Sequence, residues 1–75
     1  MSKLPVVSSR DFIRYITKEK GFVYDHTHGS HHIYKRNDRM VSVPEREEIG
    51  KGLLLSLLEE AGITREDFIR GWNKR

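Results

Sequence analysis

The sequence predicts an α+β fold, and three patterns carry that prediction. Apolar residues recur at helical spacing through Phe12, Ile13 and Ile16 and stop at Gly21. Three short β-prone runs follow, parted by residues that favour turns. A leucine stripe and a last amphipathic segment ending at Trp72 close the chain. With 75 residues there is room for one domain, expected to span residues 1–75. Three short strands cannot bury themselves, so helices must cover one face of the sheet. The expected order is helix, three antiparallel strands, helix, short helix.

Ser8 and Ser9 both suit the N-cap of the first helix, because a serine hydroxyl accepts from the unpaired amides of the first turn. Asp11 follows Ser8 at the spacing of a capping box. The helix is expected over about residues 9 to 20, closed by Gly21, which tolerates the left-handed conformation. Phe22-Val23-Tyr24 reads as a short strand and His26-Thr27-His28-Gly29 as a break. Ser30 to Arg36 forms a second strand, and Asn37-Asp38-Arg39 a turn. Met40-Val41-Ser42-Val43 forms a third strand, stopped by Pro44. Leu53, Leu54, Leu57, Leu58 and Ala61 make the apolar stripe of the next helix, ended by Gly62. Thr64 caps a last helix with Asp67 three residues on, anchored by Phe68, Ile69 and Trp72.

Composition narrows the chemistry. The chain has no cysteine, which excludes cysteine-ligated zinc and thiol nucleophiles and fits a reducing, cytoplasmic setting. Its longest apolar run is Leu53-Leu54-Leu55, against the roughly 20 residues a bilayer span needs. The apolar stretch within Met1–Val7 is too short for a signal peptide. The formal charge of +3 is too small to announce a nucleic-acid partner by itself. Its distribution says more: Arg10, Arg14, Lys18, Lys20, Lys35, Arg36 and Arg39 lie in the first half, whereas Glu45 to Asp67 is acid-rich. A polyanion would dock on the first half.

All four histidines, His26, His28, His31 and His32, fall within seven residues around Gly29. Three readings compete. Imidazoles bind zinc or nickel, but an all-histidine set with only Asp25 nearby fixes no ligand geometry. Alternatively the four are polar residues of an exposed turn and strand, beside Tyr24 and Tyr34. The third reading is catalytic. RNA brings its own nucleophile, the 2′-hydroxyl, so cleavage needs only a proton carrier titrating near neutrality and cations for the phosphate. A histidine at a glycine turn with Lys35, Arg36 and Arg39 supplies both.

Gly29-Ser30-His31-His32-Ile33-Tyr34, following a helix that ends in Gly-Phe, resembles the Gly-Ser-His hallmark of the HicA toxin family. Val41-Ser42-Val43-Pro44 resembles that family's third strand and its proline. Lys51 through Ile63 resembles its second helix, and Thr64-Arg65-Glu66-Asp67-Phe68 is similar to the tail that often follows. The likeness covers about residues 8 to 72.

The resemblance implies a fold like the double-stranded-RNA-binding domain, α-β-β-β-α. It also implies a toxin of a type II toxin–antitoxin system, a metal-independent endoribonuclease acting on messenger RNA without a cofactor. The partner it implies is a HicB-type antitoxin that covers the active histidine in a hetero-oligomeric complex. Carried onto this chain, the family's histidine is His31, with His32 adjacent and still in play. Gly29 would give the turn that presents the imidazole, and Ser30 would orient it. Alternation sends His31 and His32 to opposite faces, and Tyr34, on the face of His32, reads as core, which favours His31 on the open face. The chain departs from the family in having Glu45-Arg46-Glu47-Glu48 after the strand proline and neutral Leu55-Ser56 in the second helix, where basic residues are frequent. It also ends the second strand in Lys35-Arg36 where a histidine is frequent. Fewer phosphate contacts would lower RNA affinity and flatten its salt dependence. The rival from another class is a non-catalytic module that grips RNA by shape and phosphates.

Overall fold

A computed structural model describes residues 4–73; the ends of the expected 1–75 domain lie outside them. In chain order the elements are α1 (Ser9–Glu19), β1 (Val23–His28), β2 (His31–Arg36), β3 (Arg39–Pro44), α2 (Lys51–Ala61) and α3 (Arg65–Asn73). The strands form one antiparallel sheet in the order β1-β2-β3. This is the expected α+β architecture, with helices packed on one face of the sheet.

The two serines at the start of α1 divide the work between them. Ser8 is the N-cap, its hydroxyl accepting from the Asp11 amide at 3.0 Å. Ser9, buried, instead reaches the segment after β3. At the other end Gly21 turns at φ 74° and Phe22 enters the core, its amide donating to the Ile16 carbonyl at 3.0 Å. Phe22 is therefore a core anchor ahead of the strand rather than part of it. Gly62 ends α2 at φ 72° in a paired arrangement: its amide donates to Glu59, and that of Ile63 to Leu58. Thr64 caps α3 by accepting from the Asp67 amide at 3.0 Å.

Other strand boundaries also differ from the sequence expectation: β2 begins at His31 rather than Ser30, β3 takes in Pro44, and the end of β1 and the start of β3 shift further. β1 extends through His26, Thr27 and His28, where a break was expected. The register shifts between Tyr24 and His26, so Asp25 is the extra residue of a bulge. Every residue of β1 is exposed, so no apolar alternation marks it as a strand. Arg39 opens β3 rather than completing the turn, leaving Asn37-Asp38 as a two-residue loop with Asn37 at φ 55°.

The core lies between the sheet and the helices. β3 contributes Val41 and Val43, α1 Phe12, Tyr15 and Ile16, α2 Leu54, Leu57 and Leu58, and α3 Phe68. Each such side chain contributes roughly 1.5–3 kcal/mol on burial. α1 and α3 meet closely, with the Tyr15 ring edge-on to Phe68 at 4.8 Å. Tyr34 of β2 leans on this core from the same face. The opposite face of the sheet carries no helix, and Ile33 is its one buried side chain among the described residues.

Candidate active site

The Gly29-Ser30 loop sets the site. Positive φ falls on Gly29, at 63°, and not on Ser30, the pattern of a two-residue hairpin loop with glycine first. A loop of that length fixes the register outward from itself. His28 lies directly opposite His31, Thr27 opposite His32, and His26 opposite Ile33. Residues directly opposed on neighbouring strands share a face. His26, His28 and His31 therefore stand together on the open face, and His32 stands on the face that carries the helices.

The two expected catalytic histidines differ in their bonding. His31 is exposed, and among the described residues its imidazole has no hydrogen-bond or ion-pair partner. His32 is half-buried with both nitrogens engaged. Its Nε2 lies 3.0 Å from Glu45 Oε1 and its Nδ1 3.1 Å from Thr27 Oγ1, while Thr27 Oγ1 lies 2.7 Å from the Tyr24 hydroxyl. With a neutral imidazole these contacts run one way. Tyr24 donates to Thr27, Thr27 to His32, and His32 to the Glu45 carboxylate. The chain ties β1, β2 and the segment after β3 together.

That segment is itself held. The Glu45 amide donates to the Ser30 carbonyl at 2.9 Å, tying the segment to the hairpin loop. The Ser9 hydroxyl accepts from the Arg46 amide at 2.6 Å. An open cavity of about 880 Å³ lies here, lined among others by Ser8, Ser9, Ile13 and His32. Its charged lining is mixed, Arg10 and Arg46 against Asp11, Glu45 and Glu47, so it does not concentrate positive potential.

The open face is built otherwise. Asp25 Oδ2 sits 2.6 Å from His26 Nδ1 and 3.6 Å from Lys35 Nζ. The hydrogen bond from His26, helped by the charge of Lys35, holds the Asp25 carboxyl below the usual carboxylate range. This contact fixes the proton of His26 on Nδ1 and leaves Nε2 free. Lys35 shares the face of His31, about 13 Å along the strand. Arg36 faces the other way and, like Arg39, lies at the far end of the sheet. Arg39 donates to the Glu60 carbonyl at 3.4 Å and packs its guanidinium over Gly62, complementing the C-terminal end of α2. The structure thus groups Gly29, Ser30 and His31, places Lys35 on the same face toward the far end of β2, and sets His32, Arg36 and Arg39 apart.

Sequence reasoning missed where His28, Thr27, Glu45 and Ser9 make their contacts, although it named His28 in the histidine cluster and Ser9 as a candidate cap. A signal for two of them was present. Once Gly29-Ser30 is taken as a two-residue loop, counting outward pairs His28 with His31 and Thr27 with His32. Nothing local marks Glu45 or Ser9, whose contacts span 13 and 37 residues.

Comparison with known proteins gives a family match. A family described as "HicA toxin of bacterial toxin-antitoxin" matches residues 9–63, from the first turn of α1 to the end of α2, well over half of the chain. No curated protein and no solved structure shows significant similarity. The match takes in the histidine hairpin, the whole sheet and the clamp from Ser9 to Arg46, and so the chain belongs to the HicA family of bacterial toxins.

Proposed function

We propose that the protein is an endoribonuclease toxin that cleaves messenger RNA without a metal, with His31 as the proton-transferring base. The observation that carries the proposal is the contrast between the two adjacent histidines. His31 stands exposed on the open face with both nitrogens available, whereas His32 spends both on Glu45 and Thr27. A general base must reach the proton it takes, within about 2.6–3.2 Å, and His31 alone of the pair is free to do so. Taking the 2′-hydroxyl proton lets O2′ attack the neighbouring phosphorus. The glycine turn keeps the backbone low beside the imidazole, so a sugar-phosphate chain can approach it. Lys35 extends positive charge along the same face, while Arg36 and Arg39 attract the chain beyond it.

Such an activity has to be silenced in the cell that makes it. The fitting partner is an antitoxin of the HicB kind that lays acidic groups over the open face, forming a hetero-oligomeric complex in the cytoplasm.

The test is the pair of alanine variants. His31→Ala abolishes RNA cleavage and growth arrest with an unchanged circular dichroism spectrum, and His32→Ala still cleaves. An active His31→Ala beside an inactive His32→Ala would move the base by one residue. Retention of RNA with no cut products in every variant would favour the non-catalytic binding module.

A further inference from the structure

A base at O2′ completes only half of the reaction. When O2′ attacks phosphorus, the P–O5′ bond breaks and the departing O5′ needs a proton. The two apical oxygens lie on opposite sides of phosphorus, so acid and base must flank the phosphate. Resting on the ribonuclease reading above, we propose that His28 is the second catalytic residue, the general acid that protonates O5′ while His31 takes the 2′ proton.

The hairpin register carries this proposal. His28 and His31 are direct cross-strand partners on either side of the two-residue loop, on the uncovered face. Their Cβ atoms are then about 4.5–5.5 Å apart, with the imidazoles rising side by side from neighbouring strands. Two such rings can straddle one phosphate, each within hydrogen-bond reach of one apical oxygen. His28 is exposed and, among the described residues, has no hydrogen-bond or ion-pair partner, so its nitrogens are free for substrate. The charged and titratable groups facing it are His31 across the loop and, on the same face, His26, Asp25 and Lys35. Asp25 already engages both His26 and Lys35. Glu45, which follows β3, meets His32 on the other face.

The step balances without a further reactant. The O2′–P bond forms, the P–O5′ bond breaks, His31 gains the 2′ proton and His28 loses one to O5′. The products are a 2′,3′-cyclic phosphate and a 5′-hydroxyl. Proton exchange with water restores both imidazoles.

Two RNA substrates of one sequence test the role, one with the ordinary linkage and one with sulfur in place of O5′, since a departing thiolate needs no proton. His28→Gln is expected to slow the ordinary substrate by about 10²–10⁴-fold and to cleave the thiolate-leaving substrate within about tenfold of the unmodified protein. His31→Ala is expected to be slow on both. The pH profile of the unmodified protein is bell-shaped, and His28→Gln on the ordinary substrate loses the alkaline fall. Equal losses on both substrates, no loss on either, or sulfur rescue of His26→Ala but not of His28→Gln would overturn the assignment of His28. If the unmodified protein cleaved neither substrate, the ribonuclease reading itself would fall.

Discussion

Ser9 and Arg46 hold one another across 37 residues of sequence: the buried Ser9 hydroxyl accepts from the Arg46 amide at 2.6 Å, and the Ser9 amide donates to the Arg46 carbonyl at 2.9 Å. The hydroxyl proton is shared between the carbonyls of Pro44 and Arg46. This clamp fixes the strand exit from which Glu45 reaches His32. Ser9→Ala leaves the Arg46 amide and the Pro44 carbonyl without that partner, and a lost buried bond of this kind costs about 1–3 kcal/mol. We expect urea denaturation to show a loss of about 2 kcal/mol. Ser8→Ala, which removes only a cap, should cost about 1 kcal/mol.

The crossing of α1 and α3 depends on Gly71. A Cβ at that position would stand 2.9 Å from Tyr15 Cε1, and the ring cannot retreat because it packs edge-on to Phe68. Overpacking costs about 1–3 kcal/mol, offset in part by the better helix propensity of alanine. Gly71→Ala should lower stability by about 1 kcal/mol. Gly52→Ala, where a Cβ meets nothing within 4 Å, should leave stability equal or higher by up to about 1 kcal/mol. Thermal denaturation of the two variants side by side checks both signs.

Tyr15 makes the fold sensitive to alkali. Burial, with the negative charges of Asp67 and Glu19, pushes its phenol up to about 12 from an ordinary 10. A group raised in the folded state contributes stability that is complete below the unfolded value and is lost as pH climbs through the folded one. The loss therefore falls between about pH 10 and 12. Among the described residues the hydroxyl has no hydrogen-bond partner, so Tyr15→Phe should cost little at neutral pH and flatten the alkaline loss. Denaturation at stepped pH measures it.

Phosphate contacts show in salt dependence. Each contact to single-stranded RNA contributes about 0.7 to the slope of log affinity against log salt. Lys35→Ala, on the face of His31, should weaken binding and flatten the slope by about that amount. Arg39→Ala should change it less, because Arg39 lies beyond Lys35 at the far end of the sheet, with its guanidinium packed at the end of α2. Equal effects would mean that the RNA path runs to the far end of the sheet.

Most of the fold was legible because its signals are local. Helical periodicity with a glycine stop gave α1 and α2, and Thr64 with Asp67 gave the start of α3. β1 was misjudged at its C-terminal half because a strand exposed on both faces has no apolar alternation, and Asp25 breaks what alternation there is. Missing that half hid the facing of His28 and His31. The separation of His31 from His32 followed from strand alternation alone. What no local pattern could supply was the company each histidine keeps, since Glu45 and Ser9 reach the site through tertiary contacts.

The most direct measurement is to incubate the purified protein with messenger RNA in excess EDTA and to identify the ends of any fragments. Metal-free cleavage through the 2′-hydroxyl predicts discrete fragments with 5′-hydroxyl ends and 2′,3′-cyclic phosphates, unaffected by the chelator. Intact RNA, cleavage that stops in EDTA, or fragments with 5′-phosphate ends would contradict it.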